Sequence, residues 1–324
     1  MQISQLNLRN FRNHENLDLS FPPGATTIVG RNGRGKTNIV EAVHYLATLG
    51  SHRVSQDAPL IRSGQDTATI WARVEKHNRQ AQVELTINYP GANKVVLNNS
   101  PPSKPRDILG LVTTVIFSPE DLELVKGEPS ARRRFIDEVS TSLTPKFSNT
   151  RSDFERTLKQ RNTLLKSLGR RSPPPQARAT LDAWSEQLIQ HGTDIIFTRL
   201  ENIKRIAPHV SEFGKTISGD TEPLYLSYLN NWLPTQATTK NEITNLFKTE
   251  LETRNKDEID RGTTLVGPHR DDVNIQLSNL PAKGYASHGQ SWSIAIALRL
   301  AAFKTLREHD DDPILILDDV FAEL

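Results

Sequence analysis

At 324 residues the chain has room for about two domains, each able to bury a core. It contains no cysteine, which excludes disulfides, cysteine–zinc sites and a cysteine nucleophile. Its net charge is only +2, so any nucleic-acid surface must come from local clusters of Lys and Arg. No apolar run approaches the roughly 18 residues of a spanning helix, and Met1-Gln2-Ile3-Ser4 opens no signal peptide; a cytoplasmic protein without a membrane segment is expected.

Leu6 and Leu8, then Leu17, Leu19 and Phe21, alternate with polar residues on either side of Arg9-Asn10-Phe11-Arg12-Asn13-His14, predicting two strands around a polar turn. Thr26-Thr27-Ile28-Val29 is a β-branched run suited to a buried strand. Gly30-Arg31-Asn32-Gly33-Arg34-Gly35-Lys36-Thr37 then completes the G-x-x-x-x-G-K-[ST] pattern. Its glycines permit backbone conformations and close approach that a Cβ would block. Backbone N–H groups of the loop, and of the helix start behind it, would cradle phosphate. Lys36 would reach the β- and γ-phosphates and Thr37 would take a place on Mg²⁺. Ile39, Val40, Val43, Leu46 and Ala47 recur at helical spacing behind the loop.

Residues 51–64 read as a polar loop carrying Arg53 and Arg62. Three alternating runs follow, at Ile70/Ala72/Val74, Val83/Leu85/Ile87 and 94–97, and 112–117 suits a fully buried strand. Ser118-Pro119 resembles a helix start, and from here to about Gly214 the pattern is mostly helical. Two long helices, about 146–168 and 179–210, are separated by Arg171-Ser172-Pro173-Pro174-Pro175 as a hairpin tip. Leu164, Leu165, Leu168, Leu181, Trp184, Leu188, Ile195 and Ile196 are the candidate seam. Between 146 and 171 the hairpin carries Lys146, Arg151, Arg156, Lys159, Arg161, Lys166, Arg170 and Arg171 against Asp153 and Glu155. That excess suits a phosphate-binding arm, although a solvated helix face accounts for the same charges. A linker at 214–220, an isolated strand at 224–228, a helix at 242–254 and a β-like stretch at 264–267 complete the middle.

Near the end, Pro313-Ile314-Leu315-Ile316-Leu317-Asp318-Asp319 is an apolar strand closing on two carboxylates. Asp318 is the candidate Mg²⁺ ligand, and Asp319 is placed to orient or deprotonate an attacking water. A solvated strand end is the alternative. Upstream, Ser287-His288-Gly289-Gln290 opens a helix, with Ser287 as its cap and Gly289 leaving room for an anion. A serine-glycine helix start ahead of an acid strand is the order of ATP-binding-cassette ATPases. In that class the serine helix of one subunit caps the γ-phosphate held by its twin.

Taken together, these motifs resemble the RecF family of bacterial recombination mediators, relatives of the SMC chromosome ATPases. The resemblance covers nearly the whole chain: Leu8 to Asn13, Gly30 to Asn38, Ser51-His52-Arg53, Leu60 to Gly64, Phe117 to Leu122, Val125-Lys126-Gly127, Arg132 to Asp137, Leu265 to Asp272 and Leu317 to Leu324. It implies an α/β ATP-binding-cassette-type P-loop ATPase head, a mixed sheet with helices, formed by residues 1–117 and 261–324. An inserted, mainly helical lobe at 118–260 would carry the short hairpin arm at about 146–210. ATP and Mg²⁺ are the implied cofactors, with Gly30 to Asn38, Arg12, Asn13, Ser287, Gly289 and Gln290 around the nucleotide. Lys36 and Asp319 carry the chemistry of a weak, DNA-stimulated ATPase. The implied role is an ATP-dependent homodimeric clamp on duplex DNA at single-strand gaps, assisting RecO and RecR in loading RecA. An SMC-like DNA-bridging ATPase is the alternative. A transporter subunit lacks Phe117 to Asp121 in this form, and a small-molecule kinase lacks the serine-glycine helix. Two departures stand out. Trp292 occupies a position where the family often has arginine, and the chain ends at Leu324, before the family's aspartate loop, final strand and histidine switch, so a C-terminal truncation is expected.

Overall fold

A computed structural model describes residues 1–77, 79–169, 173–218, 222–234, 239–309 and 312–320. In chain order the first elements are β1 (Gln2–Phe11), β2 (His14–Ser20), α1 (Lys36–Thr48), β3 (Thr67–Lys76), β4 (Arg79–Asn88), β5 (Lys94–Leu97) and β6 (Thr114–Phe117). The helical middle runs through α2 (Leu122–Lys126), α3 (Pro129–Leu143), α4 (Phe147–Leu168) and α5 (Pro175–Ser218). There follow β7 (Leu224–Leu229), α6 (Lys240–Arg261), β8 (Asp272–Leu277), β9 (Leu280–Pro281), α7 (Ala282–Tyr285), α8 (His288–Glu308) and β10 (Ile314–Leu317).

The chain divides into two compact units. The first comprises 1–125, 141–143 and 286–324. In it β2-β1-β3-β4-β5 form one antiparallel sheet. The period-2 alternation sets its register: Leu8 lies opposite Leu17 on one side and Ile70 on the other, and Ile70 opposite Leu85. Those inward residues share a core with Ile39, Ala42, Val43 and Leu46 of α1. β6 and β10 pair in parallel, Phe117 opposite Leu317, which brings the end of the chain to the middle of it.

The second unit comprises 126–140 and 144–285. Phe154, Leu188, Ile195 and Ile196 pack with Ile243, Phe247 and Leu251 of α6. Leu165, Leu168 and Leu181 of the predicted seam are buried, whereas Leu164 and Trp184 are half-buried. Among the described residues, this unit is fastened by the buried pairs Arg161–Glu258 at 2.6 Å and Arg199–Asp137 at 2.8 Å and the partly buried pair Arg132–Asp272 at 2.8 Å.

Several expectations are corrected. Residues 26–29 form no strand; Ile28 touches the core, but Val29 is 83% exposed, and β-branched residues make a strand only where a neighbouring strand accepts them. The segment 261–285, expected with the nucleotide lobe, belongs to the second unit. The cause is β8, which pairs antiparallel with β7 through Tyr228 and Val273 and so makes 224–228 part of a three-stranded sheet rather than an isolated strand. The second long helix does not stop near Val210 but runs to Ser218 with Pro208 inside it. Gly214, which reads as the start of a linker, is helical, and a Cβ there would meet Leu224 at 2.8 Å; the glycine serves a close approach of β7. α6 likewise extends to Arg261. Residues 264–267 form no strand, because side chains take their backbone donors: Thr264 N–H donates to Asn162 and Leu265 N–H to Glu258, each at 2.7 Å. Arg170 and the tip at Arg171 and Ser172, the linker's end at 219–220, and Phe321 to Leu324 lie outside the described residues.

Candidate nucleotide-binding site

The loop at 30–37 leads directly into α1, whose N-cap is Gly35 at φ 91°. Among the described residues no side chain caps this helix, which leaves its first backbone N–H groups for an anion. At Gly35 the left-handed φ favours glycine, and a Cβ there would force the side-chain ends of Asn13 and His14 to move. His14 Nε2 donates to Gly35 O at 3.1 Å. Asn13 Oδ1 accepts from Asn38 at 2.7 Å, and Asn13 Nδ2 donates to Gly33 O at 3.5 Å. The turn after β1 thus braces the loop from behind. Lys36 Nζ donates to Gly30 O at 2.8 Å, to Arg31 O at 3.3 Å and to Asn32 Oδ1 at 3.5 Å, which holds the ammonium over the loop. Arg31, Asn32, Gly33 and Arg34 form its exposed crest.

Across from the loop, the parallel pairing of β6 and β10 carries Asp318 to Thr37. Asp318 N–H donates to Phe117 O at 2.9 Å, and Thr37 Oγ1 donates to Asp318 Oδ1 at 3.3 Å. Burial pushes the Asp318 carboxyl above its ordinary range; the Thr37 bond opposes this, and Asp319 and Glu120 add to it. The concentration of negative charge suits a cation. Cis oxygen ligands of an octahedral Mg²⁺ at about 2.1 Å are about 3.0 Å apart, close to the observed pair, so Thr37 and Asp318 fit the metal. Asp319 is exposed and adopts φ 50°, turning the chain just past the strand.

Arg12 does not stand free for a ligand. Its Nε and Nη2 donate to Glu41 of α1 at 2.9 and 2.6 Å, and its Nη1 donates to Pro59 O at 3.0 Å. Glu41 is fully buried. Burial would raise its carboxyl, but bonds from Arg12 and Ser51 and the charges of Arg12 and Arg53 outweigh this and hold it below the usual range. The structure therefore gives Arg12 a bracing contact, while Asn13 reaches the loop itself.

Sequence reasoning left Arg53, Glu41, Glu120 and His14 without roles. Arg53 donates to Asn38 at 3.1 Å and lies 3.6 Å from Glu41 and 3.8 Å from Glu120, which puts a guanidinium beside the loop and the acid strand. The signal available was its place in Ser51-His52-Arg53. His52 is buried with neither ring nitrogen bonded among the described residues, and burial lowers its imidazole below the ordinary histidine range.

Ser287, Gly289 and Gln290 begin α8. Ser287 Oγ accepts from Gln290 N–H at 3.2 Å, and Gln290 Oε1 accepts from Ser287 N–H at 2.8 Å, a reciprocal capping box. Ser287 and Gly289 are exposed, and a Cβ at Gly289 would meet nothing within 4 Å. These bonds are local to the helix start. Trp292, one turn on, is a core residue packed edge-on against Phe117.

The arm's charge is smaller than its sequence. Arg161 is buried against Glu258, Thr264 and Ser185; Arg151 pairs with Glu155 and Arg156 with Asp153. Among the described residues of α4 and its cap, Lys146, Lys159 and Lys166 are exposed, as is Arg156 in its pair with Asp153. Also among the described residues, no helix is long and apolar enough to cross a membrane.

Comparison with known proteins identifies the family and the fold. The RecF/RecN/SMC N terminal domain family matches residues 2–324. The chain is 46% identical over 327 residues to the DNA replication and repair protein RecF of Streptomyces avermitilis, covering all of this chain and 87% of that one. It superposes with a TM-score of 0.92 and 29% identity on the recombination mediator protein RecF–ATP in the RecFOR pathway, covering 99% and 86% of the two chains. The Smc head domain of Pyrococcus furiosus shares the fold at TM-score 0.50 and 16% identity, over 99% of this chain and 90% of that one. The fold is that of an α/β P-loop ATPase head, and the chain belongs to the RecF family within the RecF/RecN/SMC group.

Proposed function

We propose that this chain is an ATP-dependent DNA-binding protein of replication and recombinational repair. The observation that carries the reading is that the loop holding the Lys36 ammonium over its own carbonyls also places the Thr37 hydroxyl on the Asp318 carboxylate. Residues 30–37 and the open start of α1 hold the phosphates, with Lys36 moving from its own loop carbonyls to the β- and γ-phosphates. Thr37 and Asp318 hold Mg²⁺, which when bound neutralises phosphate charge. Asp319 receives the proton of an attacking water in a slow hydrolysis. Arg12 and Asn13 support the nucleotide from the N-terminal turn.

Ser287, Gly289 and Gln290 of a second copy cap the γ-phosphate, so two copies close around a duplex only when nucleotide is bound. Lys146, Lys159 and Lys166 contact DNA backbone near a single-strand gap, without reading sequence. Opening after hydrolysis releases the clamp. In the cell the complex works in the cytoplasm with RecR, and through it with RecO, to load RecA.

Sedimentation of the unaltered protein and Lys36→Ala with ATP and gapped DNA tests this. The expected result is an ATP-dependent rise in mass and in DNA binding that Lys36→Ala lacks. Equal behaviour of the two proteins, with and without ATP, refutes it.

A further inference from the structure

Trp292 is not explained by stability alone. Its indole is 1% exposed, and its N–H has no hydrogen-bond partner among the described residues. A buried polar group without a partner is unfavourable, and a phenylalanine would fill most of the same space without it. The indole's extra reach is what distinguishes it. The ring stands edge-on to Phe117, with centroids 5.0 Å apart and planes at 83°, and shares a small core with Ala295 and Val320.

Those contacts lie on both sides of the acid pair. Phe117 O accepts the N–H of Asp318, and Val320 directly follows Asp319. On the same helix, two turns on, Arg299 donates to Asp121 at 3.0 and 2.6 Å. Asp121 in turn accepts the Ser118 N–H at 3.1 Å, next to Phe117. One end of α8 is the exposed serine-led start; its body is riveted to the strand that carries Asp318.

We propose that Trp292 is a positioning residue that couples the exposed start of α8 to the Asp318 carboxylate, so that the helix and the cation-holding acid move together. A helix packed this closely cannot shift without displacing Phe117, and Phe117 holds Asp318 through its carbonyl. The coupling rests on the nucleotide reading above. Its unpartnered indole N–H also gives it an optical signature, because a dry, unbonded indole emits at short wavelength and shifts when its surroundings change.

The test is calorimetric titration of ATP with Mg²⁺ and with EDTA, on the unaltered protein, Trp292→Phe and Trp292→Ala. In parallel, emission is followed in a protein whose Trp71, Trp184 and Trp232 are replaced by Phe. With EDTA the three affinities agree within about twofold. With Mg²⁺, Trp292→Ala loses at least about fivefold and Trp292→Phe recovers most of it, and Trp292 emission shifts on addition of Mg²⁺ and ATP. Equal loss with and without Mg²⁺, no loss at all, or a constant emission under ATP binding that calorimetry detects, overturns the coupling. No ATP binding by the unaltered protein overturns the nucleotide reading, and the coupling with it. If Trp292→Ala does not fold, Trp292→Leu takes its place.

Discussion

Thr37 and Asp318 are 281 positions apart in the chain, yet the Thr37 hydroxyl donates to the Asp318 carboxylate at 3.3 Å. The parallel register of β6 and β10 produces this meeting. A charge-removing change that keeps the shape should therefore act on the metal and not on the fold. Asp318→Asn is expected to keep its melting temperature and its Mg²⁺-free ATP affinity, and to lose about tenfold of the Mg²⁺-dependent gain. Calorimetry in Mg²⁺ and in EDTA checks it.

Glu41 is the anchor behind the loop. Removing it leaves the largely buried Arg12 guanidinium without its carboxylate and takes one partner from the exposed Arg53. Breaking one side of such a pair costs about 3 kcal/mol. Glu41→Ala is expected to lose stability on that scale in urea unfolding and to bind ATP more weakly, because Arg12 and Asn13 stand side by side in the brace. Unchanged unfolding would show that the bonds to Glu41 are dispensable.

Two buried groups of the second unit should oppose each other in acid. Burial pushes the Asp271 carboxyl up to about 6, against its bonds from Tyr228 and Asn230. Its contribution is full below its unfolded value near 4 and is lost as pH rises through about 6. Burial pushes the His269 imidazole down to about 4, against its bond to Thr264 O. Its contribution is full above about 6.5 and is lost as pH falls through about 4. Between these limits the slopes have opposite signs, each at most about 1.4 kcal/mol per pH unit. Urea unfolding from about pH 4.5 to 6 should be nearly flat for the unaltered protein, rise with pH for Asp271→Asn and fall with pH for His269→Gln.

The arm offers a separation of structure from binding. Arg161→Ala should destabilise the second unit by about 3 kcal/mol, since it strands the buried Glu258. Lys159→Ala and Lys166→Ala should change stability by less than about 0.5 kcal/mol. Each should lower the salt dependence of DNA binding by about one unit of slope. A Lys159→Ala/Lys166→Ala protein with an unaltered salt slope would remove the arm from the DNA surface.

Much of the site was legible because its parts are short and chemically constrained. The left-handed backbone at Gly35 favours glycine, Lys36 and Thr37 are fixed by the loop, and Asp318 closes an apolar strand. What sequence could not give is who pairs with whom. Arg12 and Arg161 look like free cations in the chain, but Glu41 and Glu258, both buried, occupy them. Gly214 reads as a linker because a glycine needed for close approach and one needed for flexibility are the same letter. Residues 224–228 looked isolated because their partner β8 lies far along the chain. The reading of 26–29 as a strand failed for a related reason, since propensity does not say whether a neighbour is present.

The most direct test of the central claim is a crystal structure with Mg²⁺ and a non-hydrolysable ATP analogue. The account predicts the γ-phosphate within hydrogen-bond reach of Lys36 Nζ and the metal bound by Thr37 and Asp318. An analogue seated anywhere other than the loop at 30–37, or a metal that touches neither residue, would contradict it.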